Sequence, residues 1–362
     1  MKITIMDLKL VFLGIAVLLA PSISGQDAKV SLDEEASQYR MFDEVGVDSW
    51  WEMVEAQPAA EQAWLNLFLA ERFNRWGNEE KELSKKDKSV LDDVQTGIEF
   101  NVPNSFADNY VRFITSDFEN KVALEAAEIL RPNDPLILEA RINYDRIFGS
   151  STAQRLSVTN WGTQQVPSPQ LLAYQRNVLK SLPQNALLIT NGADDTYPLL
   201  LVQYQENFRS DVKVIQLDLM TSSSYLSKVA SLLGVSESKL SNESREASFK
   251  SIVEADLTNK VHLPFSLPGT WLKQLTSNHV VYGLSLSPMA LTDLPQSNKA
   301  LWGTMDQQNA SSNNQYARNY IPMLLRIFQQ GSSEEKQLVA PIIRDLASTS
   351  SNPQVILNML SE

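Results

Sequence analysis

The sequence predicts a chain in two structural parts, a helical-repeat first half and a small parallel-sheet α/β second half. Three observations lead there. Apolar residues recur at three- and four-residue steps from about Val30 to Leu182, the spacing of amphipathic helices. The run Arg131-Pro132-Asn133-Asp134-Pro135 breaks that pattern between two helical stretches, as in stacked helix pairs. From Asn185 to Met220 the pattern changes to strand, polar turn, helix, tight turn and strand, the order of a parallel crossover.

The first element is an N-terminal leader. Lys2 and Lys9 flank a polar start, the apolar run Leu10–Ala20 follows, and Pro21 leads into Ser22-Ile23-Ser24-Gly25. That is the order of a secretory signal peptide over residues 1–25, with an uncleaved N-terminal membrane anchor as the alternative. The run is short for a permanent span. The expected divisions are 1–25 for the signal, 26–182 for the helical domain and 183–362 for the α/β domain with its C-terminal helices. An exported chain with no cysteine fits a bacterial periplasm or cell envelope, because its size lets it fold without disulfides.

Composition narrows the chemistry. A net charge of -12 with no basic block speaks against nucleic acid as a partner. The absence of cysteine removes thiolate nucleophiles and Cys-based metal sites, and two histidines are too few for a His-rich one. No phosphate-cradling glycine loop, dinucleotide fingerprint or nucleophile elbow is present. The expectation is therefore no cofactor, no metal and no confident catalytic residue.

In the first half, Ala60–Trp76 places Trp64, Leu65, Phe68, Leu69 and Phe73 on one face, and Gly77 stops it. Asn104–Thr115, Phe118–Leu130 and Leu136–Phe148 follow. The stretch Ala123–Ala140, ALEAAEILRPNDPLILEA, resembles the second helix and closing turn of a tetratricopeptide repeat, so the half is read as TPR-like, though no clean 34-residue period runs through it. That resemblance implies a protein partner held by the helical surface. Trp50-Trp51 places two large aromatics on different faces of a helix, and at least one is expected in the core.

In the second half, Ala186–Thr190 is an apolar strand covered on both faces. Asn191-Gly192-Ala193-Asp194-Asp195 is the turn, with Asp195 or Thr196 placed to cap the next helix and Pro198 suited to its first turn. Leu199–Phe208 completes that helix, Arg209-Ser210-Asp211 turns the chain, and Val212–Leu219 is the second strand. Helices over Tyr225–Leu233 and Ser244–Leu257, a helical turn at Thr270–Leu275, a third strand at His279–Ser287, a loop from Gln296 to Gln315 and closing helices complete the reading.

The stretch ITNGADDTYPLLLVQYQENFRSDVKVIQLDLM resembles the soluble C-terminal region of a bacterial membrane-protein family related to protein O-mannosyltransferases. The matching residues are Asn191, Gly192, Asp195, Thr196, Tyr197, Pro198, Leu199, Arg209, Asp211 and Val212, and HVVYGLSLSP and ARNYIPMLLRIF resemble later segments of that family. Two features depart from it. The family's Gly-Asp-Asn-Asp is Gly192-Ala193-Asp194-Asp195 here, and the multi-span membrane portion is absent from this sequence. The resemblance implies a related soluble domain rather than transferase activity.

The candidate ligand-binding residues are Asn191, Gly192, Asp194, Asp195, Thr196, Tyr197, Arg209 and Asp211, with Ser222–Ser224 as further lining. Ligands of α/β folds gather at strand carboxyl ends, where helix N–H groups are free. The competing reading is that the carboxylates only cap a helix. The expected function is an exported, non-catalytic binding or scaffolding module accessory to protein glycosylation, with a glycan or a membrane glycosyltransferase as further partner. The alternative is a glycan- or glycoprotein-acting enzyme that uses Asp194 or Asp195.

Overall fold

The computed structural model describes residues 47–76, 84–256, 258, 260–273, 275, 279–288, 294–311, 316–350 and 352–360. The expected signal peptide lies outside the described residues. Contacts gather the described chain into two interleaved units, one of residues 47–165 and 218–255, the other of residues 166–217 and 256–360.

The first unit is helical. It contains α1 (Val47–Ala56), α2 (Glu61–Trp76), α3 (Lys85–Asn101), α4 (Phe106–Thr115), α5 (Lys121–Leu130), α6 (Pro135–Phe148), α7 (Ser151–Gln165), α10 (Ser223–Leu233) and α11 (Arg245–Ala255). Helices α2 and α3, α4 and α5, and α6 and α7 pack as sequence-adjacent pairs, and α10 packs on α6. The pairs begin at residues 61, 106 and 135, so their spacing is uneven. Side-chain caps fix the starts. Ser84, Ser105, Asn120 and Asp134 each accept a backbone N–H of the first turn, and Ser84 forms a full capping box with Asp87. Trp50 is fully buried, whereas Trp51 is half-buried and donates its indole N–H to Glu71 at 2.8 Å. Ala123 and Ala127 are buried on the inner side of α5, where small residues let a neighbouring helix approach.

The second unit holds α8 (Pro169–Lys180), β1 (Leu187–Thr190), α9 (Ala193–Gln205), β2 (Lys213–Gln216), β3 (Val261–Pro264), α12 (Gly269–Leu272), β4 (Val280–Tyr282), β5 (Ser285–Ser287), α13 (Leu294–Thr304), α14 (Ile321–Gln330), α15 (Ser333–Ala347) and α16 (Pro353–Asn358). The sheet order is β2-β1-β3-β5-β4. β1 runs parallel to β2, with Leu187 opposite Lys213 and Thr190 opposite Gln216, and parallel to β3, with Leu188 opposite His262. β3 then pairs antiparallel with β5, which pairs antiparallel with β4. The α plus α/β class stands, with the sheet mixed rather than purely parallel.

Four local expectations change. The expected third strand is a hairpin, because Gly283 takes φ +57° between β4 and β5. A Cβ there would sit 2.1 Å from Ser181 Cβ, so only glycine fits the turn. The expected strand over Val212–Leu219 ends at Gln216 and passes into a 3-10 turn over Leu217–Leu219. The first part of the expected loop from Gln296 to Gln315, up to Thr304, belongs to α13, anchored by buried Asn298 and Trp302. Asn298 accepts from the Gly283 N–H at 2.8 Å and donates to the Val281 carbonyl at 3.0 Å, which ties α13 to the hairpin. Finally, β3 stands where sequence reasoning placed no strand.

Candidate functional site

The order β2-β1-β3 makes the carboxyl end of β1 a switch point, because the chain leaves β1 to one side for β2 and reaches β3 on the other. Crevices of this kind hold ligands in open α/β sheets. Asn191 and Gly192 connect β1 to the helix start at Ala193–Asp195, and the loop after β3 carries Phe265, Ser266 and Leu267 before α12.

Helix α9 starts earlier than expected, at Ala193. Its N-cap is Gly192, at φ +85° and ψ 176°, with no side-chain cap bond. The expectation that Asp195 or Thr196 caps the helix is therefore corrected: both lie inside its first turn. Glycine suits a cap in this region because a Cβ is strained there, and the carboxylates act on the helix dipole instead. Pro198 is also further in than expected, within the helix rather than in its first turn. A proline has no N–H for the carbonyl four residues back, which is that of Asp194. Gln175 Nε2 approaches this carbonyl at 3.5 Å.

The two carboxylates face different surroundings. Asp194 is exposed, and Asp195 is 8% exposed. Thr196 is buried, its hydroxyl 2.8 Å from Thr190 Oγ1 and 2.7 Å from the Gly192 carbonyl, which locks the turn onto the strand end. Tyr197 is buried in the core, while Asn191 and Gly192 are half-buried at the rim.

Asp195 borders a buried tyrosine network. Burial and then the Asp195 charge hold the Tyr174 phenol well above its ordinary pKa. Tyr174 Oη accepts from Asn319 Nδ2 at 2.9 Å, and its ring stacks on Tyr316 with centroids 5.0 Å apart. Asn177, one turn along α8, donates to Tyr320 Oη at 2.9 Å and to the Asp306 carbonyl at 3.1 Å, and accepts from the Asp306 N–H at 3.0 Å. Burial raises the Tyr320 phenol as well. The aspartate turn and the Arg318-Asn319-Tyr320 segment, far apart in sequence, thus meet through Tyr174. Sequence reasoning passed over Tyr174 and Asn177, which lie in an ordinary amphipathic helix. The one available signal was two polar-tipped residues on its inner face.

Arg209 and Asp211 lie at the other end of the strands. Arg209 spends its guanidinium on the Leu179 and Leu182 carbonyls through Nη1, the Pro183 carbonyl through Nη2, and both Asp211 oxygens through Nε and Nη2, all at 2.7–2.9 Å. Its five N–H donors are all engaged. Asp211 also accepts from the Asn185 N–H at 2.9 Å. These bonds, first of all those from Arg209, hold the Asp211 carboxyl well below the usual range. The pair ties the end of α8 and the entry to β1 to the entry to β2. The six residue steps from Asn185 to Asn191 span roughly 20 Å, so the eight candidates form two groups and not one pocket. Ser222 is also placed. Its hydroxyl caps α10 by accepting from the Tyr225 N–H and donates to Glu119 Oε1 at 3.0 Å, both within the helical unit.

Among the described residues no group of three or more His, Asp or Glu side chains is arranged to hold a metal ion, and no helix is long and apolar enough to cross a membrane. No curated protein and no solved structure matches the chain. Residues 172–265, from α8 through β3 and the first residue beyond it, match the family model of TMEM260-associated domain 2.

Proposed function

We propose that the protein is an exported envelope component acting as a non-catalytic binding or scaffolding module, accessory to protein glycosylation. The observation that carries this reading is the match of residues 172–265 to a domain tied to TMEM260, an O-mannosyltransferase-like protein. The use of Arg209 and Asp211 as internal fasteners supports a scaffold over a reacting centre, since every guanidinium donor of Arg209 is engaged within the fold. The uneven helix pairs are read as degenerate TPR-like repeats that hold a protein partner.

The test is purification from membranes of the native host in mild detergent, with glycopeptide mapping of a strain lacking the gene. Recovery with a membrane glycosyltransferase and altered glycosylation support the reading. An isolated monomer with an unchanged glycoprotein profile counts against it.

A second reading is an enzyme acting on glycans through Asp194. The exposed carboxylate at the switch point favours it. Transfer or hydrolysis by the purified chain, abolished in Asp194→Asn with stability intact, would establish the enzyme and overturn the scaffold.

A further inference from the structure

The chain's only two histidines, His262 and His279, lie in the same unit, and the charge of His279 acts on His262. His262 is 1% exposed in the middle of β3, and among the described residues neither ring nitrogen has a hydrogen-bond partner. His279, 9% exposed just before β4, has no partner at Nδ1 among the described residues. Among the described residues the carboxylate acting on both rings is Asp256. It is committed elsewhere: its oxygens accept from the Lys260 and Val261 N–H groups at 2.8 Å and from Thr258. The strands packed on β3 bring no titratable group to the paired positions. Leu188 is opposite His262 on β1, and on β5 Leu286 and Ser285 are opposite Leu263 and Pro264.

We propose that His262 and His279 form an acid-released latch: uncharged, they let β3 join the parallel strands to the β4–β5 hairpin, and charged, they drive β3 out of the sheet. The position of His262 gives it leverage, because β3 is the strand that both parts of the sheet share. A proton placed there meets neither solvent nor a hydrogen-bond acceptor, and a second on His279 adds repulsion.

The linkage follows in sign. Burial, opposed by Asp256 and helped by His279, lowers the folded pKa of His262 from 6.5 to about 4, and burial lowers that of His279. The unfolded or open chain therefore binds more protons between these values. Stability is full above about pH 6.5, falls as the pH drops towards 4, and levels off below. Each proton taken up multiplies the opening constant by about ten per pH unit.

The experiment is an NMR titration of the two imidazoles in the full chain from pH 7.5 to 4.5, with urea unfolding of wild type and His262→Leu at each pH. In the folded protein the His262 signal is expected to hold its neutral shift to pH 5. The wild-type unfolding constant should climb by about tenfold more per pH unit than that of His262→Leu, and amides of β3 and β5 should lose protection first. A His262 signal titrating near 6.5 in the folded state, or equal pH slopes in the two proteins, overturns the latch. If His262→Leu does not fold, the wild-type titration decides alone.

Discussion

The two ends of β1 lie within one short stretch of sequence and its partners but solve different problems. At the amino end, Arg209 and Asp211 close on each other and on three backbone carbonyls, leaving no donor of the guanidinium unspent. At the carboxyl end, a glycine cap without a side-chain bond leads into one exposed and one buried carboxylate. Residues singled out together from the sequence need not share a site. One end fixes where the strands begin, and the other leaves polar groups at the place where such sheets take ligands.

That contrast can be broken by substitution. The largest effect is expected at the fastener: Arg209→Ala should lower unfolding free energy by about 3 kcal/mol, since several charge-assisted bonds go and their carbonyl partners lose their donors. Arg209→Lys should recover less than half, because an ammonium cannot fork to five acceptors. Chemical denaturation measures both, and a loss under about 1 kcal/mol for Arg209→Ala would undo the contrast. Next comes Gly192→Ala, expected to cost about 1–3 kcal/mol through its backbone region, with the loss confined to protection of the first turn of α9 in hydrogen exchange.

A third effect is a matter of pH. The Asp211 pKa is depressed by folding, so its contribution is present above the unfolded carboxylate value and disappears as the pH falls below about 4. Asp211→Asn should flatten that acid limb of the stability curve, and an unchanged limb would mean the bonds to Arg209 and Asn185 do not matter in solution. The smallest effect is expected at the exposed carboxylate. Asp194→Ala should shift stability by about 0.5 kcal/mol, the value of a charge near a helix start. A larger shift would give Asp194 a structural task and weaken the enzyme reading.

The parts of this architecture that could be read from the residues are those with strong local signals. β1, α9 and β2 follow from an apolar run, a breaker turn and a β-branched run. In the first unit α2, α4, α5, α6, α10 and α11 follow from their apolar period, whereas α3 and α7 were not picked out as separate helices within the helical stretch. β3 escaped because Val261-His262-Leu263-Pro264 is short, carries a histidine and ends in proline. The β4–β5 hairpin escaped because Gly283 sits in an unbroken apolar pattern, and its left-handed turn is dictated by a close approach to Ser181 that only the folded chain reveals. α13 escaped because its start is rich in Ser, Asn and Gln. At the candidate site, the break after β1 was read, but the turn was drawn too long, since Ala193, Asp194 and Asp195 are already helical, and its cap was misplaced. Capping depends on where the first helical residue falls, and a shift of two or three positions moves a carboxylate from cap to first turn. The pairing of Arg209 with Asp211 across the turn was legible, but its reach was not: its other partners are backbone carbonyls of residues 179–183, which carry no side-chain signature.

The interleaving of the two units bears on how the chain can be made and dissected. Emerging from a ribosome, the helical unit stays incomplete until residue 255 has appeared, by which time β1, α9 and β2 have already been synthesised. A single cut near residue 165 or 182 therefore removes α10 and α11 from one fragment and strands them on the other. Dissection that respects the interleaving means joining 165 to 218 through a short linker, or expressing the two halves together and asking whether they reassemble.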